Sequence, residues 1–212
     1  MVYLTGAAQR LVTIYSNRFL GSLLSPRQST RPVPGIPWAA DNDCFSQGDK
    51  FSPKTYADWL RKCQIYGGKC LFAVLPDVVY RNGNAMVGDP RATLDRSLAA
   101  LDTLQYLPFR WAFVLQDGAG CDDVPWNRIG AVFIGGSTRF KMGAEARELI
   151  NIAKGKGLWT HMGRVNSWKR FHLAYSWGLD SVDGTYLRFG PDCNWPRLKR
   201  WLALNGQGTL DF

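Results

Sequence analysis

Three aspartates stand at the ends of apolar runs that have the character of buried strands. Asp41 follows GIPWAA, Asp77 follows CLFAVLP, and Asp183 lies in SVDGTYL. Carboxylates that share a site repel one another when ionised, so a cluster indicates a cation, a proton-transfer task or a donor-rich ligand. Two carboxylates flanking a bond carry out substitution at an anomeric carbon, one at the oxocarbenium-like centre and one on the leaving group's proton. A single strand-end Asp is as often a helix cap or a loop anchor.

Two further motifs offer groups that could hold a flat heterocycle. Gly135 and Gly136 in VFIGGSTRFKMG let backbone N–H groups approach a ligand or an anion closely, although a double glycine is also common in turns. Gln116 in FVLQDG carries both a donor and an acceptor, as reading a purine edge requires. Taken alone, Gln116 is better explained by an ordinary interstrand hydrogen bond.

These residues end the strands of an alternating strand–helix pattern, in which β-branched or aromatic runs are followed by amphipathic stretches. Ser52-Pro53 and Asp89-Pro90 each place a cap residue before a proline in the first turn of a helix. The predicted strands are VYLTG (around residues 3–6) and residues 35–41, 70–76, 111–116, 131–136, 158–163 and 181–187. The predicted helices are residues 9–24, 53–66, 90–106, 143–156, 167–177 and 196–204.

Repeated strand–helix units predict parallel strands with right-handed crossovers, in a barrel or an open doubly wound sheet. Polar residues at the carboxyl end of nearly every strand favour the barrel, and no GxGxxG follows the first strand. The prediction is a compact α/β fold, a (β/α) TIM-like barrel, as a single domain over residues 1–212. Seven strands are clear, so one unit is expected to be missing or distorted. The stretch 25–35 is predicted to be a loop between the first helix and the second strand.

The charge balance suits a polyanionic partner. Lys and Arg total 26 against 17 acids, which gives a net charge of +9 and a pI near 9.5. Cationic side chains near phosphates release counterions, although the same balance would also arise from solubility alone. The basic residues are spread along the chain, which favours a basic face on a folded body over a basic tail.

Other sequence features predict what the chain lacks. The five cysteines form no CxxC pair, and with two histidines they give no zinc-ligand spacing. We therefore expect no metal and no cofactor. No apolar run approaches the length of a membrane span, and no signal peptide is recognised at the N-terminus. The expected location is the cytoplasm, or the host cytoplasm if a phage encodes the chain.

Five segments resemble, in the same order, motifs of the queuine/guanine tRNA transglycosylase superfamily. They cover roughly residues 36–190 and read WAADNDCF, LPDVV, VLQDG, FIGGST and HMGRVNSWKRFHLAYSWGLDSVDGTYLRFG. The last is similar to the family's long signature, in which a Met-Gly strand end and a helix precede a Gly-hydrophobic-Asp strand with the nucleophilic aspartate. The resemblance itself implies the (β/α) barrel.

The resemblance also implies residue roles. Asp183 would be the nucleophile and Asp41 the general acid/base, while Phe45 and Met162 would sandwich the heterocycle. An aromatic face and a thioether suit stacking on a flat ring, and Asp77 can accept two donors from a guanine-like edge. The implied substrate-binding residues are Phe45, Asp77, Gln116, Gly135, Gly136, Met162 and Gly163.

The chain departs from the family's tRNA enzymes in two places. It has neither the ligands nor the room for their zinc-binding Cys/His subdomain, and Asn42-Asp43-Cys44 stands where the family has a glycine pair. Without the zinc subdomain, the shortened chain more closely resembles the related phage and bacterial proteins that insert 7-deazaguanine derivatives into DNA.

The expected function is therefore base exchange on a nucleic acid, with DNA favoured over tRNA. Asp183 would attack C1′ of a guanosine or deoxyguanosine nucleotide, and guanine would leave with a proton from Asp41. A 7-deazaguanine base such as 7-cyano-7-deazaguanine would then displace the enzyme ester. The target nucleotide must leave the base stack, and a basic rim would hold its phosphates. The candidate rim residues are Arg139, Lys141, Arg164, Lys169, Arg170 and Arg188.

Two other functions stay open at this point. A nucleoside or nucleotide glycosyl hydrolase would use water in place of the incoming base. A non-catalytic subunit of a larger enzyme would bind a deazapurine or nucleic acid without exchange. The sequence leaves open whether the chain acts as a homodimer or as an accessory subunit.

Overall fold

Short runs of β-branched and aromatic residues form the strands of a computed structural model, which describes residues 1–6, 9–28, 31–47, 50–66, 69–83 and 85–206. Within these residues eight parallel strands close into a barrel, in the order β1-β10-β9-β8-β7-β4-β3-β2, and β5 and β6 form a separate antiparallel hairpin. The strands are β1 (Val2–Gly6), β2 (Leu20–Leu24), β3 (Trp38–Ala40), β4 (Cys70–Val74), β5 (Val79–Asn82), β6 (Ala85–Gly88), β7 (Trp111–Leu115), β8 (Ala131–Ile134), β9 (Trp159–Met162) and β10 (Ser181–Gly184). The predicted (β/α) barrel is confirmed.

Amphipathic helices surround this barrel, and two begin at the predicted caps. Ser52 Oγ accepts from Thr55 N, and Asp89 Oδ1 accepts from Ala92 N, so each satisfies an N–H that the first helical turn leaves free. The α-helices of the described residues are α1 (Gln9–Ile14), α2 (Cys44–Gln47), α3 (Pro53–Ile65), α4 (Pro90–Leu104), α5 (Thr138–Lys141), α6 (Ala144–Gly155), α7 (Trp168–Ser176) and α8 (Pro191–Ala203).

The prediction of one helix over residues 9–24 was wrong. The helix α1 ends at Ile14, a turn follows in which Asn17 Oδ1 accepts from Phe19 N, and β2 begins at Leu20. Every residue of β2 is buried, and a strand buried on both faces shows no alternation that separates it from a buried helix. The expected missing or distorted unit is therefore β2, which completes the barrel. The stretch 25–35 connects β2 to β3, apart from residues 29–30, which lie outside the described residues.

Alternation along the strands separates the barrel interior from the helix layer. One apolar cluster takes its members from strands alone, among them Leu4, Ala39, Phe72, Val114 and Ala131, and it fills the interior. The larger cluster combines the opposite strand faces with helix residues such as Leu60, Leu101 and Phe171. The interior positions at the carboxyl ends of the strands face the mouth of the barrel, where barrel enzymes carry their chemistry.

Two general features of the described residues accompany this fold. None of their helices combines the length and the apolar character that crossing a bilayer requires. Among the five free cysteines, Cys44 and Cys63 are buried like small apolar side chains, whereas Cys121 and Cys193 are exposed.

Close packing at Gly21 gives a test of the barrel. A Cβ at this position in β2 would lie 2.3 Å from the carbonyl oxygen of Pro37 and 2.8 Å from Leu4 Cδ2. We expect Gly21→Ala to lower the free energy of unfolding by about 1–3 kcal/mol, as overpacked cores do, measured by urea denaturation. The matched control is Gly155→Ala at the end of α6, where nothing lies within 4 Å, and it should be neutral or slightly stabilising. Equal stability of the two variants would contradict this packing.

Candidate active site

A cavity of about 540 Å³ opens at the mouth of the barrel. It collects residues that the sequence distributes over seven of the barrel strands and their following loops. Of the residues predicted to form the site, those lining it are Asp41, Phe45, Asp77, Gln116, Gly135, Gly136, Gly163, Arg164 and Asp183.

Asp183 belongs to a chain of hydrogen bonds that crosses β9 and β10. Its Oδ1 lies 3.0 Å from His161 Nε2, and His161 Nδ1 lies 2.8 Å from Ser181 Oγ. The indole Nε1 of Trp159 donates to the same Ser181 Oγ at 2.8 Å. His161 and Ser181 are fully buried, whereas the Asp183 side chain keeps 13 % of its surface exposed at the cavity.

The direction of this chain follows from its donor end. An indole N–H can only donate, so Ser181 Oγ accepts from Trp159 and has its own proton to give to His161 Nδ1. A neutral His161 is then protonated at Nε2, which donates to Asp183. The second oxygen, Asp183 Oδ2, accepts a longer bond of 3.3 Å from Arg164 N, and the Asp183 side chain lines the cavity.

The imidazole of His161 packs against two phenyl rings. Its centroid is 4.8 Å from that of Phe72 and 4.6 Å from that of Phe133, so aromatic surface contributes to its complete burial. His161 lies within the predicted strand 158–163 but is not among the predicted site residues. The signal was available in the spacing, because Trp159 and His161, like Ser181 and Asp183, lie two residues apart and so share one face of a strand.

Asp41 has a different environment from Asp183. One backbone donor reaches it in the described residues, Asp43 N at 3.3 Å from Oδ1. Burial, together with the negative charges of Asp43 and Asp183, raises the pKa of Asp41 to about 7. The site therefore contains one carboxyl that holds a proton close to neutral pH and one that accepts hydrogen bonds from two donors.

Asp77 is held in a polar network at the base of the cavity. Its Oδ1 accepts from Asn42 Nδ2 and its Oδ2 from Gln116 Nε2, each at 3.0 Å. Burial raises the pKa of Asp77, and the Asn42 hydrogen bond opposes that shift. Each carboxylate oxygen has a second lone pair, so Asp77 can still accept two donors from a ligand.

Gln116 supports Asp77 more than it faces the cavity. Only 1 % of its surface is exposed, its amide nitrogen donates to both Asp77 and Val78 O, and its Oε1 accepts from Thr93 Oγ1. The predicted contact of Gln116 with a base is thereby restricted to the remaining lone pair of Oε1. Asn42 and Thr93, which complete this network, were not predicted.

Glycine fits at these positions of the site because neighbouring atoms lie too close for a side chain. The alternative reason, a free N–H group that could bind a ligand, does not apply to Gly135. Gly135 N donates to Leu115 O within the barrel and is not available to a ligand. Gly136 has a φ of 68°, and a Cβ there would lie 2.4 Å from Asp117 Oδ2. A Cβ at Gly163 would lie 2.8 Å from the Phe133 ring, which shows how closely that ring covers the strand end.

The predicted sandwich of Phe45 and Met162 is not formed. Phe45 is 55 % exposed at the rim and lies under the Arg164 guanidinium, whose carbon is 5.7 Å from the ring centroid. Met162 is fully buried in the barrel–helix layer, because its neighbour His161 takes the inward position and strand residues alternate. The thioether that lines the cavity belongs to Met86 on β6.

The predicted basic rim divides into internal and exposed members. Lys141 was expected at the surface but is buried, since its Nζ donates to Gly163 O at 2.9 Å. Burial, and next the charge of Arg164, lower the pKa of Lys141 to about 8. Arg164 and Arg170 contact the backbone of the rim, where Arg170 Nη1 donates to Arg164 O. The remaining predicted members, Arg139, Lys169 and Arg188, are exposed outside the cavity lining.

Comparison of the sequence with protein-family models and with curated proteins finds no match. Among the described residues, no three His, Cys, Asp or Glu side chains are grouped so that they could hold a metal ion. The chemistry of the cavity side chains is therefore the basis for a functional assignment.

The raised pKa of Asp41 predicts a pH-dependent effect on stability. An unfolded Asp ionises near pH 4, whereas folded Asp41 ionises at about 7. Between these values the folded state binds the extra proton, so Asp41 lowers the stability of the wild type progressively as pH rises through this window. Asp41→Asn should therefore melt at a higher temperature than the wild type at pH about 8, and the gap should close at pH about 4. A gap that is the same at both pH values would contradict the assignment.

The direction of the hydrogen-bond chain can be read by nuclear magnetic resonance. At neutral pH we expect ¹⁵N spectra to show His161 as a single Nε2–H tautomer, while the exposed His172 serves as an internal reference. Ser181→Ala removes the donor to Nδ1 and should reduce this preference, which a matched Ser176→Ala on the exposed side of α7 should leave intact. An Nδ1–H tautomer of the wild type at neutral pH would contradict this assignment, because His161 would then donate to Ser181 Oγ.

Proposed function

We propose that the chain exchanges a purine base on a nucleic acid through a covalent bond between Asp183 and C1′ of the target nucleotide. The observation that carries the proposal is the contrast between Asp183 and Asp41 in one cavity. Asp183 accepts from His161 Nε2 and Arg164 N, while the pKa of Asp41 is raised to about 7. Two carboxyl groups with such different environments can act as nucleophile and general acid at one glycosidic bond.

In the first step, Asp183 Oδ2 attacks C1′ and the C1′–N9 bond of the guanine nucleotide breaks. The electron pair of that bond leaves with guanine, which takes the proton of the Asp41 carboxyl. His161 Nε2 continues to donate to Oδ1. The attacking carboxylate therefore stays oriented while it loses its negative charge in forming the ester.

In the second step, the roles reverse. The Asp41 carboxylate removes the N9 proton of an incoming 7-deazaguanine base, and N9 attacks C1′. The ester bond to Asp183 breaks, and the electron pair returns to its carboxylate. One base replaces another, no net proton is gained, and no redox change occurs.

Asp77 is the proposed reader of the base. The N1–H and 2-amino groups of guanine present two adjacent donors, and the free lone pairs of Asp77 Oδ1 and Oδ2 match them. Asn42 and Gln116 hold that carboxylate in place. Because the pKa of Asp77 is raised by burial, bonds from a base would offset part of the desolvation of this carboxylate.

A nucleic-acid substrate is supported by the net charge of +9 and by the exposed basic residues outside the cavity. The target base must leave its stack to reach Asp77, which is 9 % exposed. DNA is the preferred polymer of the proposal, because the sequence resembles the short DNA-modifying members of the transglycosylase superfamily.

Incorporation of a labelled base tests the proposal. The wild type, incubated with DNA or tRNA, should transfer labelled guanine or 7-cyano-7-deazaguanine into the polymer. Asp183→Asn should reduce the rate by about 10⁴-fold or more, as loss of a nucleophile does. Asp102→Asn, an exposed carboxylate on α4 paired with Arg128, is the matched control and should leave the rate unchanged.

Three results would contradict the assignment in different ways. Equal incorporation by Asp183→Asn would remove Asp183 from the nucleophilic role. Abasic sites without incorporation would identify a glycosyl hydrolase. Binding of base and polymer without exchange at any enzyme concentration would identify a non-catalytic binding subunit.

A further inference from the structure

A second depression, of about 620 Å³, lies outside the cavity at the same end of the barrel. We call it the aromatic groove and define it by Trp168, Tyr186, Trp201, Arg197 and Arg200. Its walls are the start of α7, the loop after β10 and the outer side of α8. None of its residues has a part in the hydrogen-bond network of the candidate active site.

The groove adjoins the strand end that carries Asp183. Asn166, which also lines the groove, accepts from Thr185 N at 2.7 Å. Thr185 follows Asp183 by two residues, so a wall of the groove contacts the backbone that leaves the candidate active site. A substrate polymer with one of its monomers bound over Asp183 can therefore extend directly into the groove.

The floor of the groove is a set of packed rings. Tyr186 and Trp201 are stacked with centroids 4.7 Å apart, and Trp168 lies 5.9 Å from Trp201. Trp168 is nevertheless 44 % exposed. The rings of Phe171, His172 and Trp201 pack against the indole, so its exposed surface is held on a rigid support.

Positive charge surrounds this apolar floor. Arg197 and Arg200 are exposed on α8, and no Asp or Glu is among the described residues that line the groove. Arg200 uses Nε for the backbone oxygen of Pro196, whereas the Arg197 guanidinium makes no ion pair or hydrogen bond within the described part of the chain. Open ring surface beside guanidinium groups complements a base and its phosphate.

We propose that the aromatic groove binds an unpaired nucleotide next to the one whose base enters the cavity. Its base stacks on Trp168, and Arg197 and Arg200 contact its phosphates. The inference rests on the proposed function, and it specifies that the polymer is single-stranded at the site, because bases within a duplex do not offer a free face for stacking.

Binding of a labelled strand in the absence of any free base tests the groove separately from catalysis. The probe is a single-stranded DNA of about ten nucleotides, followed by fluorescence anisotropy over a series of salt concentrations, with a duplex of the same sequence for comparison. We expect the single strand to bind the wild type more tightly than the duplex. Trp168→Ala should weaken the single-strand complex about 5-fold or more, and Trp168→Phe should retain most of the affinity.

Charge variants serve where the aromatic substitution could disturb folding. Arg197→Glu changes an exposed side chain, and it should weaken binding and reduce the slope of log Kd against log salt by about 0.7 or more. The matched control is Arg147→Glu on the exposed face of α6, which should leave both quantities unchanged. Thermal unfolding of each variant establishes that its fold is intact.

The outcomes separate this inference from the proposed exchange. The groove assignment is overturned if the wild type does not bind the strand, if duplex binds as tightly, or if the groove variants bind like the wild type. It is also overturned if an acidic aromatic peptide displaces the strand with the same dependence on Trp168, since the groove would then take a protein. If the groove variants bind the strand like the wild type and still exchange bases, the proposed exchange holds and the groove assignment fails. If the groove variants lose strand binding but the wild type exchanges no base, the groove assignment holds and the proposed exchange fails.

Discussion

The parallel pairing of β9 with β10 determines the chemistry available at the mouth of the barrel. The register sets Ser181 opposite His161, so inward-facing side chains two residues apart on each strand form the chain Trp159–Ser181–His161–Asp183. The chain starts at a group that can only donate and ends at one that can only accept when ionised. A shift of β10 by one residue along β9 would turn Ser181 and Asp183 towards the helices and remove this carboxylate from the mouth.

The number of donors at each carboxyl group distinguishes the three acids. Asp183 has an imidazole and a backbone donor, and Asp77 has two side-chain amides, whereas Asp41 has a single long backbone contact. Desolvation acts on an acid without compensation where donors are few, and the pKa of Asp41 accordingly rises to about 7. The proposed division into general acid, nucleophile and base reader follows this order of hydrogen bonding.

The sequence was informative where a pattern has a local cause. Asp41, Asp77 and Asp183 could be placed at one mouth because apolar strands ending in polar residues point the same way in a parallel barrel. The hairpin of β5 and β6 was missed although Asn82-Gly83 is a recognised turn signal, and β2 was missed because its burial hides its period. Contacts between segments that are distant in the sequence leave no local pattern from which they could be predicted. The burial of Lys141 against Gly163 and the outward direction of Met162 depend on which strand lies beside which, and on where the helices cover them.

The burial of Lys141 also changes how the positive charge of the chain can act. Lys141, Arg164 and Arg170 all donate to backbone oxygens of the rim, so part of the basic set stabilises the loops around the mouth. The cations free of such bonds in the described residues around α7 and α8 include Lys169, Arg188 and Arg197. For the proposed nucleic-acid substrate, these cations favour approach from the side of the mouth formed by β9 and β10, which carries Asp183 and the exposed ring of Trp168. In the proposed function, the same two strands therefore orient the carboxylate of Asp183 and determine the direction from which the polymer reaches it.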